Sequence, residues 1–263
     1  MLQKILEDIG TVARQLHEKG WAEGNAGNIS VNISNVPGEE IEGFPLSDCE
    51  YPLAQSNPSL ADHLLLITVA GVKMPELAKN PLKHLAIIKI SSNGHFFSYL
   101  LRDGIPKQTS VTLTSELPAH LAIHECLVKE NKIEKAIVHT HVNELIALTH
   151  DPEMTNEEKL NNVLLSMHPE VVMNFPEGIG FVPFMLPGSK EIGNASAESL
   201  KLRRLILWDK HGVVSVGNSV TQCLDQIEII TKAAKIYFLC RAAGFYPEGL
   251  TPEQIRSITT GAK

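Results

Sequence analysis

Two pairs of short apolar runs, each pair joined by a tight turn, constrain this chain more than any other feature. His84–Ile90 and His95–Leu101 flank Ser91-Ser92-Asn93-Gly94, and Leu205–Trp208 and Val213–Val216 bracket His211-Gly212. Turn residues between strand-like runs read as hairpins, so the chain must fold around a β-sheet. Further strand patterns occur at Ile29, Val31 and Ile33, at Leu64–Val69 and at Ala136–Val142, with an extended stretch over Gly178–Leu186. Between them the period changes to that of helices. Leu2, Ile5, Ile9, Val12 and Leu16 recur at helical spacing, and Gly20 follows as a stop. A second helix is expected from Ser115 to about Lys129, after an extended Val111–Leu113. Thr155 with Glu158 reads as a capping box, and Ser189 starts another helix. Ser219 with Gln222 caps the longest helix, which ends at Gly244, and Pro252 opens a short last one. Residues 35–62 are rich in Pro, Ser and Glu and read as a long surface excursion. With no internal repeat and no linker, residues 1–263 are expected to form one domain of mixed α and β.

Charge and cysteine usage exclude several classes of function. Acidic residues outnumber basic ones 30 to 23, which argues against a broad nucleic-acid face. A small anionic substrate remains compatible, since a few local donors suffice to hold a phosphate. Cys49, Cys126, Cys223 and Cys240 form no C-x-x-C pair, so neither a disulfide framework nor a thiolate zinc knuckle is expected. Glu7 and Asp8 interrupt the apolar stretch a signal peptide would need, and no run approaches the ~18 apolar residues that span a bilayer. These features predict a cytoplasmic protein with no membrane partner.

The sharpest chemical signal is His139-Thr140-His141 inside an apolar strand pattern. Strand side chains alternate, so these two imidazoles share a side and can share one divalent cation, usually zinc. The alternative is one core histidine and one at a strand end, each hydrogen-bonded. His211, at a Gly-flanked turn, is the best-placed third ligand among the remaining histidines. Glu116 stands at a helix start, where it serves either as a general base beside a metal or only as a favourable first-turn charge. The hydroxyls of Thr114 and Ser115 suit a phosphate or an N-cap, and the two roles are compatible. Asn25-Ala26-Gly27-Asn28 forms either an anion-binding concavity or an ordinary turn. His120 and His124 share a helix face, as H-E-x-x-H ligands do, but without the accompanying Glu; they are expected to be packing and surface residues.

In order along the chain, these motifs become specific. Gly24-Asn25-Ala26-Gly27-Asn28, Thr114-Ser115-Glu116-Leu117-Pro118-Ala119-His120, His139-Thr140-His141 and Trp208-Asp209-Lys210-His211-Gly212 together resemble the class II aldolase/adducin family. The resemblance runs from about Trp21 to Gly244 and includes Asn143–Thr149 and Phe175-Pro176-Glu177-Gly178. It implies a central, mostly antiparallel β-sheet flanked by helices in three layers. It also implies a cytoplasmic homotetramer with active sites near subunit interfaces and one zinc per subunit, held by His139, His141 and His211. The implied reaction is reversible cleavage of L-rhamnulose 1-phosphate to dihydroxyacetone phosphate and L-lactaldehyde. Glu116 would be the acid/base residue; Asn25, Gly27, Asn28, Thr114 and Ser115 would line the phosphate site. Glu170 matches a second acidic residue that the family contributes from a neighbouring subunit. One departure stands out: where the family commonly has a Thr-Gly-Ser-Gly-like stretch, this chain has Thr68-Val69-Ala70-Gly71. Ala70 lacks the phosphate-contacting hydroxyl, leaving Gly71 or backbone N–H groups to supply that side. L-fuculose 1-phosphate cleavage, pentulose-5-phosphate 4-epimerisation and a non-catalytic, adducin-like interaction role are the alternatives within the resemblance. The long segments at 35–62 and 72–110 and the glutamate at 116 favour the rhamnulose type.

Overall fold

A computed structural model of the chain describes residues 1–42, 44–101 and 112–261. The first helix, α1 (Leu2–Glu18), buries Leu2, Leu6, Ile9, Val12 and Leu16, and Gly20 ends it with φ of +71°. Strands β1 (Asn28–Asn32), β2 (Tyr51–Pro52) and β3 (Leu64–Thr68) follow, then two short helices, α2 (Met74–Lys79) and α3 (Pro81–His84). Strands β4 (Leu85–Ile90) and β5 (Phe96–Tyr99) form the expected hairpin about Gly94, which adopts φ of +71°. Helix α4 (Leu117–Lys129) precedes β6 (Ala136–Thr140) and helices α5 (Asn143–Leu148), α6 (Glu157–Ser166) and α7 (Pro169–Asn174). The chain closes with β7 (Gly180–Val182), α8 (Lys190–Leu200), β8 (Leu205–Trp208), β9 (Gly212–Gly217), α9 (Val220–Ala242) and α10 (Pro252–Gly261).

All the described strands join one sheet in the order β2-β5-β4-β3-β1-β6-β9-β8-β7. Every pairing is antiparallel except β7 with β8. The expected sheet is therefore present, with helices on both faces. Alternation along the strands splits the core. Ile29 and Val31 of β1, with Ala136 and Val138 of β6, pack with the buried face of α1 and with Ile227 and Ile230 of α9. On the other face, Ile137 of β6 packs with Ala119, Ile123 and Leu127 of α4 and with Ile192 of α8.

Several local expectations need correction. The N-cap of α6 is Asn156, whose side chain accepts from Lys159 N–H, and not Thr155. Thr155 closes a 3-10 turn, and its hydroxyl donates back to Pro152 O at 2.8 Å. Of the extended stretch 178–186, only Gly180–Val182 pairs as strand. The helix expected from Ser115 begins at Leu117, with Glu116 at its cap position. Val111 lies outside the described residues, while Leu113 bridges Val69 in antiparallel fashion. Ser189 and Ser219 cap as expected, accepting from Ile192 N–H and Gln222 N–H.

The topology gathers strand ends along one side of the sheet. Strands β1 and β9 begin there, and β3, β6 and β8 end there, because neighbours in this part of the sheet are antiparallel. Asn28 pairs across from His139, and Thr140 across from Val213, two residues after His211.

Candidate active site

A cleft of about 510 Å³ opens along this side of the sheet. It brings together Asn25, Gly27, Asn28, Gly71, Thr114, Ser115, Glu116, His139, His141 and His211, which lie far apart in sequence. Glu170 is not among them; it is exposed in the first turn of α7.

The three histidines converge because three segments are fixed at once. His139 is buried near the end of β6, with its Nδ1 3.0 Å from Val213 O. His141 lies just past the strand, where its N–H donates to Trp21 O and its Nδ1 sits 2.8 Å from Glu23 Oε1. His211 follows Lys210, which holds φ of +55° in the turn between β8 and β9. The adjacent Gly212 must lack a side chain. A Cβ there would stand 2.5 Å from Thr140 O and about 3 Å from the rings of His139 and His141. Trp208 backs the histidines: it stacks on His211 with ring centroids 5.0 Å apart and sits 4.6 Å from His139. Its indole N–H is fixed by Ser196 Oγ at 2.8 Å. The sequence resemblance includes Trp208 only within a motif; its place behind the histidines depends on the strand register.

One ring nitrogen from each histidine lies within 4.8 Å of the others, a spacing that suits a single metal ion. The chemistry of the donors fits as well. His139 and His141 have Nδ1 engaged by an oxygen, the usual way a metal-binding imidazole is oriented, which leaves Nε2 for coordination. His139 Nε2 is buried and has no hydrogen-bond partner among the described residues. Burial, reinforced by His141, brings the His139 pKa down to about 3, and burial with His139 brings His211 down to about 4. Both rings are thus neutral near pH 7, the form that binds a cation.

Glu116 lies beside this cluster, with its carboxylate 3.4 Å from His139 Nε2 and 3.3 Å from His211 Nε2. It occupies the cap position of α4, yet its side chain caps nothing and is free to point into the cleft. The first-turn alternative therefore does not describe its contacts. Its Oε2 accepts from Asn28 Nδ2 at 2.8 Å. Burial pushes the carboxyl above its ordinary range, while the Asn28 hydrogen bond and the His211 and His141 rings oppose that rise.

The cleft is also lined by the residues expected to bind an anion. Gly27 holds φ of +80°, and a Cβ there would meet His139 O and Met74 Cε at 3.1 and 3.2 Å. Thr114 N–H donates to Thr68 O, and Thr114 Oγ1 accepts from Glu116 N–H at 3.3 Å. Ala70 lines the cleft, but its N–H is donated to Thr112 O at 2.7 Å. The missing hydroxyl is therefore not replaced by the backbone of the same residue. Gly71, beside it with φ of +75°, faces the cleft.

His120 and His124 bear out the packing half of the expectation for them and overturn the surface half. Neither is a surface residue: they are 2% and 1% exposed. Both reach Ser30 Oγ, at 2.6 and 2.8 Å, and His120 also reaches Asn28. They missed detection because their partners stand about 90 positions earlier, on a strand whose facing helix the sequence does not specify.

Comparisons with known proteins place the chain in a family. The family described as the class II aldolase and adducin N-terminal domain matches residues 7–238. A protein named rhamnulose-1-phosphate aldolase from Bacteroides thetaiotaomicron is 35% identical, over 98% of this chain and 94% of its own length. Another of that name from Listeria monocytogenes is 29% identical, over 97% and 91%. The crystal structure of a sugar-phosphate aldolase from Thermotoga maritima superposes with a TM-score of 0.80 at 34% identity, covering 94% of this chain and 99% of that one. An L-fuculose-1-phosphate aldolase from Thermus thermophilus shares the fold with a TM-score of 0.60 at 17% identity, covering 94% and 100%. With the match spanning sheet, cleft and flanking helices alike, the chain belongs to the class II aldolase/adducin family and is one of its lyases.

Proposed function

We propose that the protein reversibly cleaves L-rhamnulose 1-phosphate to dihydroxyacetone phosphate and L-lactaldehyde, with the whole chain 1–263 acting as one aldolase domain. The observation that carries this reading is the Glu116 carboxylate held within 3.4 Å of two of three convergent, metal-competent histidines. The names of the relatives, matched over nearly the full chain, support rhamnulose 1-phosphate over the fuculose ester. The proposed cation is zinc, one per subunit, held by His139, His141 and His211. When bound, it supplies Lewis-acid stabilisation for negative charge that builds on the ketone oxygen.

The chain's own residues do the rest. Asn25, Gly27, Asn28, Gly71, Thr114 and Ser115 hold the phosphate, a group that does not react but fixes the reacting carbons relative to Glu116. In the condensation direction, Glu116 removes a proton from the hydroxyl-bearing carbon of dihydroxyacetone phosphate. That carbon then bonds to the aldehyde carbon, whose oxygen takes a proton from water in the cleft. In cleavage the hydroxyl beside the breaking bond gives its proton to water, the carbon–carbon bond breaks, the aldehyde leaves, and Glu116 returns a proton to the carbon. A buried carboxylate whose basicity is raised by desolvation suits this exchange. Glu170, exposed on α7, is proposed to act in a neighbouring subunit's site within a cytoplasmic homotetramer.

The test is a cleavage assay on L-rhamnulose 1-phosphate, L-fuculose 1-phosphate and L-ribulose 5-phosphate, with and without chelator. The expected result is preference for the rhamnulose ester, loss of cleavage on chelation and recovery with zinc. Preference for another ester would reassign the substrate. Absence of stoichiometric zinc together with no cleavage would favour a non-catalytic interaction role.

A further inference from the structure

On the α4 side of the sheet, β1 presents Asn28 and Ser30 in place of the apolar residues it presents to the other side. Ser30 is wholly buried, and its hydroxyl lies between His120 Nδ1 and His124 Nε2. His120 Nε2 reaches Asn28 Oδ1, and Asn28 Nδ2 donates to Glu116 Oε2. Five side chains thus form one continuous array that ends on Glu116.

The array has a direction. Glu116 as a carboxylate only accepts, so Asn28 must turn its amide N–H toward it and its carbonyl toward His120. That carbonyl needs a donor, which requires a proton on His120 Nε2. A neutral His120 then has a bare Nδ1, which accepts from the Ser30 hydroxyl. Ser30 in turn accepts from His124 Nε2–H. Every link then has one donor and one acceptor, and both rings are neutral, in keeping with the burial that holds each of them well below its ordinary pKa. The opposite direction would turn the Asn28 carbonyl to Glu116 and would require a protonated carboxyl there.

We propose that Ser30, His120 and His124 are positioning residues that lock the Asn28 amide with its N–H toward Glu116, and so aim the carboxylate. This inference rests on Glu116 being the proton-transferring group. The array orients and does not conduct, because the asparagine amide interposed between His120 and Glu116 neither gains nor loses a proton under these conditions. Glu116 therefore exchanges its proton through the cleft alone.

The test has a structural arm and a kinetic arm. Neutron diffraction from deuterium-exchanged crystals of the zinc-loaded protein near pH 7.5 is expected to show deuterons on Nε2 of His120 and His124, and none on their Nδ1 atoms. A deuteron on His120 Nδ1 alone would overturn the proposed direction. In the kinetic arm, His120→Leu removes the donor to Asn28, and His120→Gln retains an N–H at similar reach. His120→Leu is expected to lower kcat about 10–100-fold, the usual scale for losing an outer supporting hydrogen bond. Its KM and zinc content should be unchanged, and His120→Gln should recover to within about 3-fold of the native kcat. Equal kcat in the two variants, or a loss explained by missing zinc, would overturn the role. If neither variant folds, the deuteron positions in the native protein decide. Native protein that cleaves no ketose phosphate would sink the proposed function, while the deuteron positions would still test the array.

Discussion

The two sides of β1 are built for opposite ends. Ile29 and Val31 look into the apolar core shared with α1 and α9. Asn28 and Ser30, one residue out of phase, face the buried histidines of α4 and the carboxylate of Glu116. A period-2 strand can thus carry stability on one face and site geometry on the other, separated by less than the thickness of the sheet. Buried polar groups stabilise little unless fully paired, so the polar side is retained for orientation, and the dry side must hold the fold.

Substitutions can break this contrast. The largest expected effect is removal of the cation: chelation, or His139→Ala, should lower cleavage by about 1000-fold or more, since several kcal/mol of charge stabilisation are lost. Metal analysis beside a coupled cleavage assay checks it, and substantial activity in metal-free protein would contradict the site. On the dry side, Ile29→Ala should lower the unfolding free energy by about 2–5 kcal/mol in a denaturant titration. The kcat of the folded fraction should stay within about 2-fold of native. A loss of turnover matching that of His120→Leu would erase the distinction between the two faces.

A third prediction uses pH. His120 and His124 are buried neutral, with His124 brought from its ordinary 6.5 to about 3. Below pH 6.5 the unfolded chain takes up protons that the folded protein refuses, so stability is fully present above that pH. It is lost as pH falls toward 3, at up to about 1.4 kcal/mol per pH unit for each such ring. His124→Gln should flatten the slope of stability between pH 4 and 6, whereas Ile29→Ala should lower the curve without changing its slope. The smallest expected effect is at the phosphate end. Asn25→Ala should raise KM about 5-fold with kcat nearly unchanged, as loss of one hydrogen bond worth ~1 kcal/mol implies.

The chain itself disclosed much of this arrangement. The hairpins, the capping serines 189 and 219 and the long helix after Ser219 rest on local signals, and they appear where local chemistry places them. His139, His141 and Glu116 were legible as candidates from the H-x-H spacing and the helix start, although His141 lies just past the strand and Glu116 at the cap. The helices over 74–84 went unread, since each is shorter than the span over which periodicity can be told from noise. Thr155 and Asn156 are both good caps, and only the preceding 3-10 turn decides between them. The His120–Ser30–His124 array was illegible for a different reason. It exists only once β1 and α4 are docked, and the same i, i+4 histidines on another helix would be ordinary surface residues.

The account stands most directly on proton exchange at Glu116. Zinc-loaded Glu116→Gln protein should be mixed with dihydroxyacetone phosphate in D2O and followed by NMR, with bound zinc measured in the same sample. Exchange of the hydroxymethyl proton should slow by about 100–10,000-fold relative to native protein, with zinc retained. Exchange at the native rate in a zinc-replete variant would contradict the central claim.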